Sequence, residues 1–284
     1  MIHYRQLIAY CVMATTVVAL GLQPGEDAAT KKDKILRRFV EEFVSLTPGK
    51  DKFPASFVMG TEGEARDSEK PTVKVTFRGP FAVARYEVTQ ELYETVMGRN
   101  PSKWKGPRNS VEMVSWEEAN EFCAKATEEL RRRKLQGESE MVRLPSEAEW
   151  EYACRAGTTG RYSFDEKEDL KDYAWFKGNS KGEDPPVGKK KANPWGLHDM
   201  HGYVWEWCAD AWSPTHKDAS AEGLPRESKG EKDRVTRGGS WADAADTCRS
   251  AYRDHQSLDH RGDAVGFRCV RAAASKTTDK EEKK

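Results

Sequence analysis

Apolar residues at Ile35, Leu36, Phe39, Val40, Phe43 and Val44 recur every three or four positions. That spacing predicts an amphipathic helix over residues 33–46, inside a stretch (23–52) that otherwise reads as linker. Packing on the domain is the default for such a helix, and docking to a partner is the alternative. Phe57–Met59 then reads as a short strand closed by Gly60. Val73–Phe77 and Phe81–Val88 alternate, which predicts two antiparallel strands turning at Gly79-Pro80. Thr89 is placed to cap a helix over Gln90–Met97, with Gly98 as its stop. Two Ser-x-x-Glu capping boxes follow, Ser115/Glu118 and Ser146/Glu149. Each opens a helix, the first burying a stripe from Trp116 through Cys123 to Leu130, the second running from Glu147 to Ala156. Residues 158–191 lack periodicity and read as a long loop region. Arg234–Trp241, Thr247–Tyr252 and Val265–Arg271 read as the last strands. The whole is an α+β pattern, irregular and loop-rich, with a small antiparallel sheet and a few helices.

The stretch Trp195–Asp210, WGLHDMHGYVWEWCAD, organises the rest. As a strand it sets Tyr203, Trp205 and Trp207 on one face and Val204, Glu206 and Cys208 on the other. Both faces carry large or apolar groups, which predicts a strand buried on both sides. A buried Glu206 needs a partner, because an isolated ionised carboxylate in an apolar site is costly. An arginine and a metal ion are the two candidates. Gly202 marks a tight turn. Asp199, turn carbonyls and Glu206 make an oxygen set suited to Ca²⁺.

Composition narrows the functional classes. Lysine plus arginine and aspartate plus glutamate are both 47 in 284 residues, so the chain is neutral overall. Nothing general favours nucleic acid or an anionic surface. Arg5 followed by the apolar run Leu7–Leu22 predicts an export signal over residues 1–22, or an uncleaved membrane anchor. The product is then periplasmic or extracellular. Outside that segment lie five cysteines, Cys123, Cys154, Cys208, Cys248 and Cys269, an odd number in a compartment that permits disulfides. The charged tail, residues 273–284, is disordered by composition. No P-loop, dinucleotide fingerprint or Gly-x-Ser-x-Gly elbow occurs. His198 and His201 flank a glycine turn and read as solvated loop residues.

Several long motifs occur in order: Val114-Ser115-Trp116-Glu117-Glu118-Ala119, Arg143-Leu144-Pro145-Ser146-Glu147-Ala148-Glu149-Trp150-Glu151-Tyr152-Ala153, Trp195-Gly196-Leu197, Asp199-Met200, Gly202, Trp205-Glu206-Trp207, Arg237-Gly238-Gly239-Ser240-Trp241, Arg249-Ser250-Ala251-Tyr252-Arg253 and Gly266-Phe267-Arg268. Together they resemble the formylglycine-generating enzyme, or sulfatase-modifying factor, superfamily, over residues 53–272. The resemblance implies an irregular C-type-lectin-like domain. It implies a calcium site at Asp199 and Glu206 with the main-chain carbonyls of Gly202 and Val204. A second family calcium site has no convincing match around Asp172–Asp184. It also implies a disulfide between Cys123 and Cys269, and one from Cys154 to Cys248, although the family's partner position for Cys154 is Ser250. Trp205 and Ser240 match residues that line the family's active groove.

The catalytic residues do not carry over. The oxidases of this superfamily hold Cu(I) with two cysteines after the Gly-Gly-Ser turn, and soft thiolates suit that ion. Here the loop is Ala242-Asp243-Ala244-Ala245-Asp246. Calcium is therefore expected and copper is not. The resemblance with this departure implies an exported binding module for a peptide, protein or glycan. The alternative is a formylglycine-generating oxidase, or a related oxidoreductase, working through an altered site.

Overall fold

The computed structural model describes residues 28–62, 65–165 and 167–274. The expected signal or anchor and residues 275–284 of the tail lie outside the described residues. The first helix, α1, is Ala28–Glu41, and β1 is Phe43–Leu46. This corrects the helix expected over 33–46. Phe43 and Val44 continue the apolar spacing of the helix, yet they belong to a strand paired with Phe81–Ala84. The two readings diverge because apolar spacing along the chain does not register the pairing of Phe43–Leu46 with β4. The segment is therefore part of the domain: Ile35, Leu36, Phe39 and Phe43 sit in the main core with Phe122, Trp207 and Phe267.

β2 (Phe57–Met59) pairs antiparallel with β3 (Val73–Val75). β4 (Phe81–Ala84) does not form the expected hairpin with β3. Both its edges are taken by distant segments, β1 on one side and β10 (Val270–Ala273) on the other. Gly79-Pro80 thus joins two sheets instead of closing a turn within one. Helices α2 (Gln90–Met97), α3 (Trp116–Arg132) and α4 (Glu147–Arg155) start where expected. Both capping boxes form: Ser115 and Ser146 accept from the amides of Glu118 and Glu149, whose carboxylates accept from the cap amides. Thr89 precedes α2 without making a side-chain cap bond. β5 (Glu140–Arg143) completes the sheet β1-β4-β10-β5.

The second four-stranded sheet is β8-β7-β6-β9. Its centre is β6 (Trp205–Ala211), flanked by β7 (Asp233–Arg237) and by the two-residue β9 (Val265–Gly266), the latter in parallel. β8 (Arg253–Ser257) forms the edge. The strand expected at Thr247–Tyr252 is instead a 3-10 turn, Ala245–Cys248, with pairing delayed to Arg253. The strand expected at Val265–Arg271 is split. Its first part joins β6 and its last joins β4 and β5, with Phe267, Arg268 and Cys269 fully buried between the two sheets.

Candidate functional site

β6 is buried along nearly its whole length, as the two apolar faces require. Glu206 on it has no solvent exposure, and its partner is Arg268. The guanidinium forks onto the carboxylate, Nε to Oε2 at 2.6 Å and Nη2 to Oε1 at 2.7 Å, and Trp150 Nε1 donates to Oε2 at 2.9 Å. Such a bidentate pair is short and geometrically specific. Arg268 also donates to the carbonyls of Ala84, Arg85 and His198, so it ties β4, β6 and the loop before β6 together. Of the two partners considered for Glu206, arginine is the one the fold supplies.

The loop that delivers Asp199 is strongly turned. Asp199, Gly202 and Tyr203 all have positive φ, at 57°, 129° and 73°. At Gly202 a Cβ would lie 2.4 Å from the Trp175 carbonyl oxygen, so only glycine fits. Asp199 is buried; its Oδ2 accepts from the Gly188 amide at 2.7 Å, while Oδ1 has no hydrogen-bond partner among the described residues. Burial pushes its carboxyl up to about 6, against the Gly188 bond, which lowers it. That orphaned oxygen is compatible with a hard cation. Glu206 reaches such an ion only through lone pairs left free by Arg268 and Trp150. Among the described residues no three His, Cys, Asp or Glu side chains converge on one metal position. A cation here needs main-chain carbonyls as well, as the resemblance implies with Gly202 and Val204. In the region of the second family site, Asp184 accepts instead from Asn109 and lies 2.7 Å from the Tyr203 hydroxyl.

Trp205 and Ser240, which the resemblance matches to groove residues, come together through a third residue. Asp243 Oδ2 accepts from Trp205 Nε1 at 2.8 Å and from Ser240 Oγ. Ser240 is aimed by the turn Gly238-Gly239, both at positive φ, and by the fully buried Arg237 before it. Arg237 donates to Glu151 on α4 and to the carbonyls of Ser250 and Tyr252. Asp243 was not singled out from the sequence as a groove residue. The sequence marks it only by its place in the loop without cysteines, three residues after Ser240.

None of the cysteines hydrogen-bonds to Trp205, Ser240 or Asp243 among the described residues. All five are buried thiols. Cys123 Sγ is 3.9 Å from Cys269 Sγ. Cys154 Sγ faces the Met200 carbonyl at 3.6 Å and the His201 ring at 3.7 Å, while Cys248 packs beside Thr247 and Gly239. Burial pushes the Cys154 and Cys248 thiols up to about 12 and raises Cys208 as well. The histidines are not solvated loop residues. His201 is buried, with Nδ1 at 2.9 Å from the Cys248 carbonyl and Nε2 at 2.8 Å from Ser163 Oγ. His198 is half-buried, with Nδ1 on the Lys190 carbonyl. Their flanking glycine suggested exposure, but the turn folds inward.

Residues 32–273 match the family model described as the sulfatase-modifying factor enzyme 1-like domain. The chain is 29% identical over 236 residues to chaperone protein LppX of Paenibacillus barcinonensis, covering 68% of this chain and 80% of that one. It is 30% identical over 263 residues to the formylglycine-generating enzyme of Bos taurus, covering 86% of this chain and 64% of the bovine length. It is 27% identical over 285 residues to inactive C-alpha-formylglycine-generating enzyme 2 of Mus musculus, covering 76% and 83%. Among solved structures, PvdO from Pseudomonas aeruginosa superposes with a TM-score of 0.68 at 30% identity, over 77% of this chain and 92% of that one. With this match over most of its length and the loop-rich fold it shares, the chain belongs to the sulfatase-modifying factor enzyme 1-like family.

Proposed function

We propose that this chain is an exported, non-oxidising member of its family that binds a polypeptide where the resemblance places the family's groove, beside Trp205, Ser240 and Asp243. One observation carries the reading. Where the resemblance calls for a thiolate pair, a carboxylate sits on two fixed donors, Trp205 Nε1 and Ser240 Oγ. A carboxylate is a hard ligand and a poor host for Cu(I), which takes soft thiolates. The remaining thiols are buried, and burial keeps Cys154, Cys208 and Cys248 protonated. A thiol in apolar surroundings is inert, because the thiolate is both nucleophile and ligand. Two relatives support a role without oxidation, one named a chaperone and one named inactive.

The test is Cu(I) titration of the purified chain against a competing chelator, followed by incubation with a cysteine-containing peptide and O₂. Neither stoichiometric Cu(I) binding nor an aldehyde detected by mass is expected. Peptide retention should persist without metal and weaken in Trp205→Ala and Asp243→Ala. Aldehyde formation would overturn the reading and restore the oxidase.

The proposal includes one structural calcium ion at Asp199, with the carbonyls of Gly202 and Val204 and a free lone pair of Glu206. The unpartnered, buried Asp199 Oδ1 supports it. It includes a disulfide between Cys123 and Cys269, supported by the 3.9 Å between their sulfurs.

A further inference from the structure

A cavity of about 490 Å³ opens beside the 3-10 turn Ala245–Cys248, and four arginines wall it: Arg66, Arg155, Arg161 and Arg249. Three of them hold carboxylates. Arg155 pairs with Glu151 at 2.8 Å, Arg161 with Asp246, and Arg249 forks onto Glu69 at 2.7 and 2.8 Å. Arg66 holds none among the described residues. It is exposed, donates to the Tyr252 hydroxyl, and lies over that ring with its guanidinium carbon 4.8 Å from the centroid. Glu62, also in the wall, accepts instead from the amide and hydroxyl of Thr72. Beyond Tyr252 the imbalance has the opposite sign. Trp205 packs against Tyr252 with ring centroids 6.0 Å apart, and its indole donates to Asp243 Oδ2 at 2.8 Å. Asp243 is half-buried and forms no ion pair among the described residues. Trp205 and Ser240 both donate to Oδ2, and Oδ1 accepts from neither.

One carboxylate and one guanidinium without ionic partners thus stand at the two ends of the Trp205–Tyr252 ring pair. Each is already oriented, Asp243 by two donors and Arg66 by the Tyr252 hydroxyl and ring. Little ordering is left for binding to impose, and a charged ligand group would form a charge-assisted hydrogen bond with either. We propose that the polypeptide bound beside Trp205 is bipolar. It sets a lysine or arginine on Asp243 and an aspartate or glutamate on Arg66, no more than about five residues apart in an extended ligand at ~3.3 Å per residue. A ligand laid in the reverse direction would bring like charges together, so the pair also sets its direction. This rests on the polypeptide reading above, which leaves the charge of the ligand open.

The experiment selects a random peptide library, displayed on phage, on the immobilised full chain and on its Asp243→Asn, Arg66→Gln and Trp205→Ala variants. Peptides taken from wild type should be enriched in one basic and one acidic residue, in a fixed order and within about five positions of each other. Asp243→Asn keeps an oxygen acceptor for Trp205 and Ser240, so it should lose the basic preference and keep the acidic one. Arg66→Gln should do the reverse. A selected peptide, made synthetically, should bind either variant roughly tenfold more weakly than wild type, and high salt should shrink that difference. Replacing the basic or the acidic residue of the peptide by glutamine makes the same test from the ligand side if a variant does not fold. Peptides enriched without a charge preference and lost in Trp205→Ala, or preferences unchanged in both charge variants, would overturn the bipolar ligand and leave the polypeptide reading standing. No enrichment on wild type would overturn both.

Discussion

His201 straps the turn after Ser240 to the loop at Ser163, and its buried neutral ring gives a pH-dependent stability that can be calculated. Burial holds its folded pKa down to about 4, from an ordinary 6.5, with the Cys248 carbonyl opposing the shift. The folded protein thus takes up a proton on this ring less readily than the unfolded chain. The contribution is complete above the unfolded pKa and is lost as pH falls from 6.5 towards 4. At about pH 5 the unfolded ring is almost fully protonated and the folded ring hardly at all, which removes ~2 kcal/mol relative to about pH 7.5. Other buried groups titrate in the same range with the opposite sign: burial raises Asp210 and Glu112 to about 7 and Asp199 to about 6. The raw stability profile mixes these terms, so the quantity to measure is the difference between wild type and His201→Gln. Urea denaturation of both proteins at about pH 7.5 and about pH 5 supplies it. The stability advantage of wild type should shrink by ~2 kcal/mol at the lower pH. A difference that stays constant between the two pH values would refute a neutral, buried His201.

Gly202→Ala should destabilise by more than about 2 kcal/mol, since its Cβ would meet the Trp175 carbonyl oxygen at 2.4 Å on a backbone with φ 129°; calorimetric melting checks this. Mild oxidation should join Cys123 to Cys269, whose separation of 146 residues gives roughly 4–5 kcal/mol in the chain-entropy model. Non-reducing peptide mapping reads the bond directly, and a thiol reductant should lower the melting temperature only of the oxidised form. Trp205→Phe removes the indole donor to Asp243 and should cost about 1–2 kcal/mol of stability as well as weakening peptide retention. Equal retention in that variant would move the binding surface away from the groove.

Where local chemistry decides, the sequence was readable. The two capping boxes need only residues three apart, and both helices start where Ser115 and Ser146 say. β6 was readable because aromatic and apolar groups fill both its faces. Pairing was not readable. Val73–Val75 and Phe81–Ala84 alternate as a hairpin would, but alternation states a face and never a partner. Phe43 and Val44 continue the helical spacing, and tertiary pairing with β4 places them in a strand instead. In the site, Asp199 and Gly202 stood out by type and spacing. Arg268 did not, although Gly-Phe-Arg was a recognised motif. Its significance lies in meeting Glu206 across distant segments. Asp243 was legible as a missing cysteine but not as the acceptor that joins Trp205 to Ser240.

The segment from Val265 to Ala273 serves both large sheets, and β1 near the other end of the described chain lies one strand away from β10. Neither sheet is complete until this last stretch arrives. β4 lacks a neighbour, β6 lacks its parallel partner, and Glu206 lacks its arginine. Closing both sheets thus requires pairing between remote segments, a topology that favours slow folding. A polypeptide stopped short of Val265 would hold most of the family's motifs and lack β9, β10 and the arginine of Glu206, leaving its tryptophan-rich centre without a cover on that side.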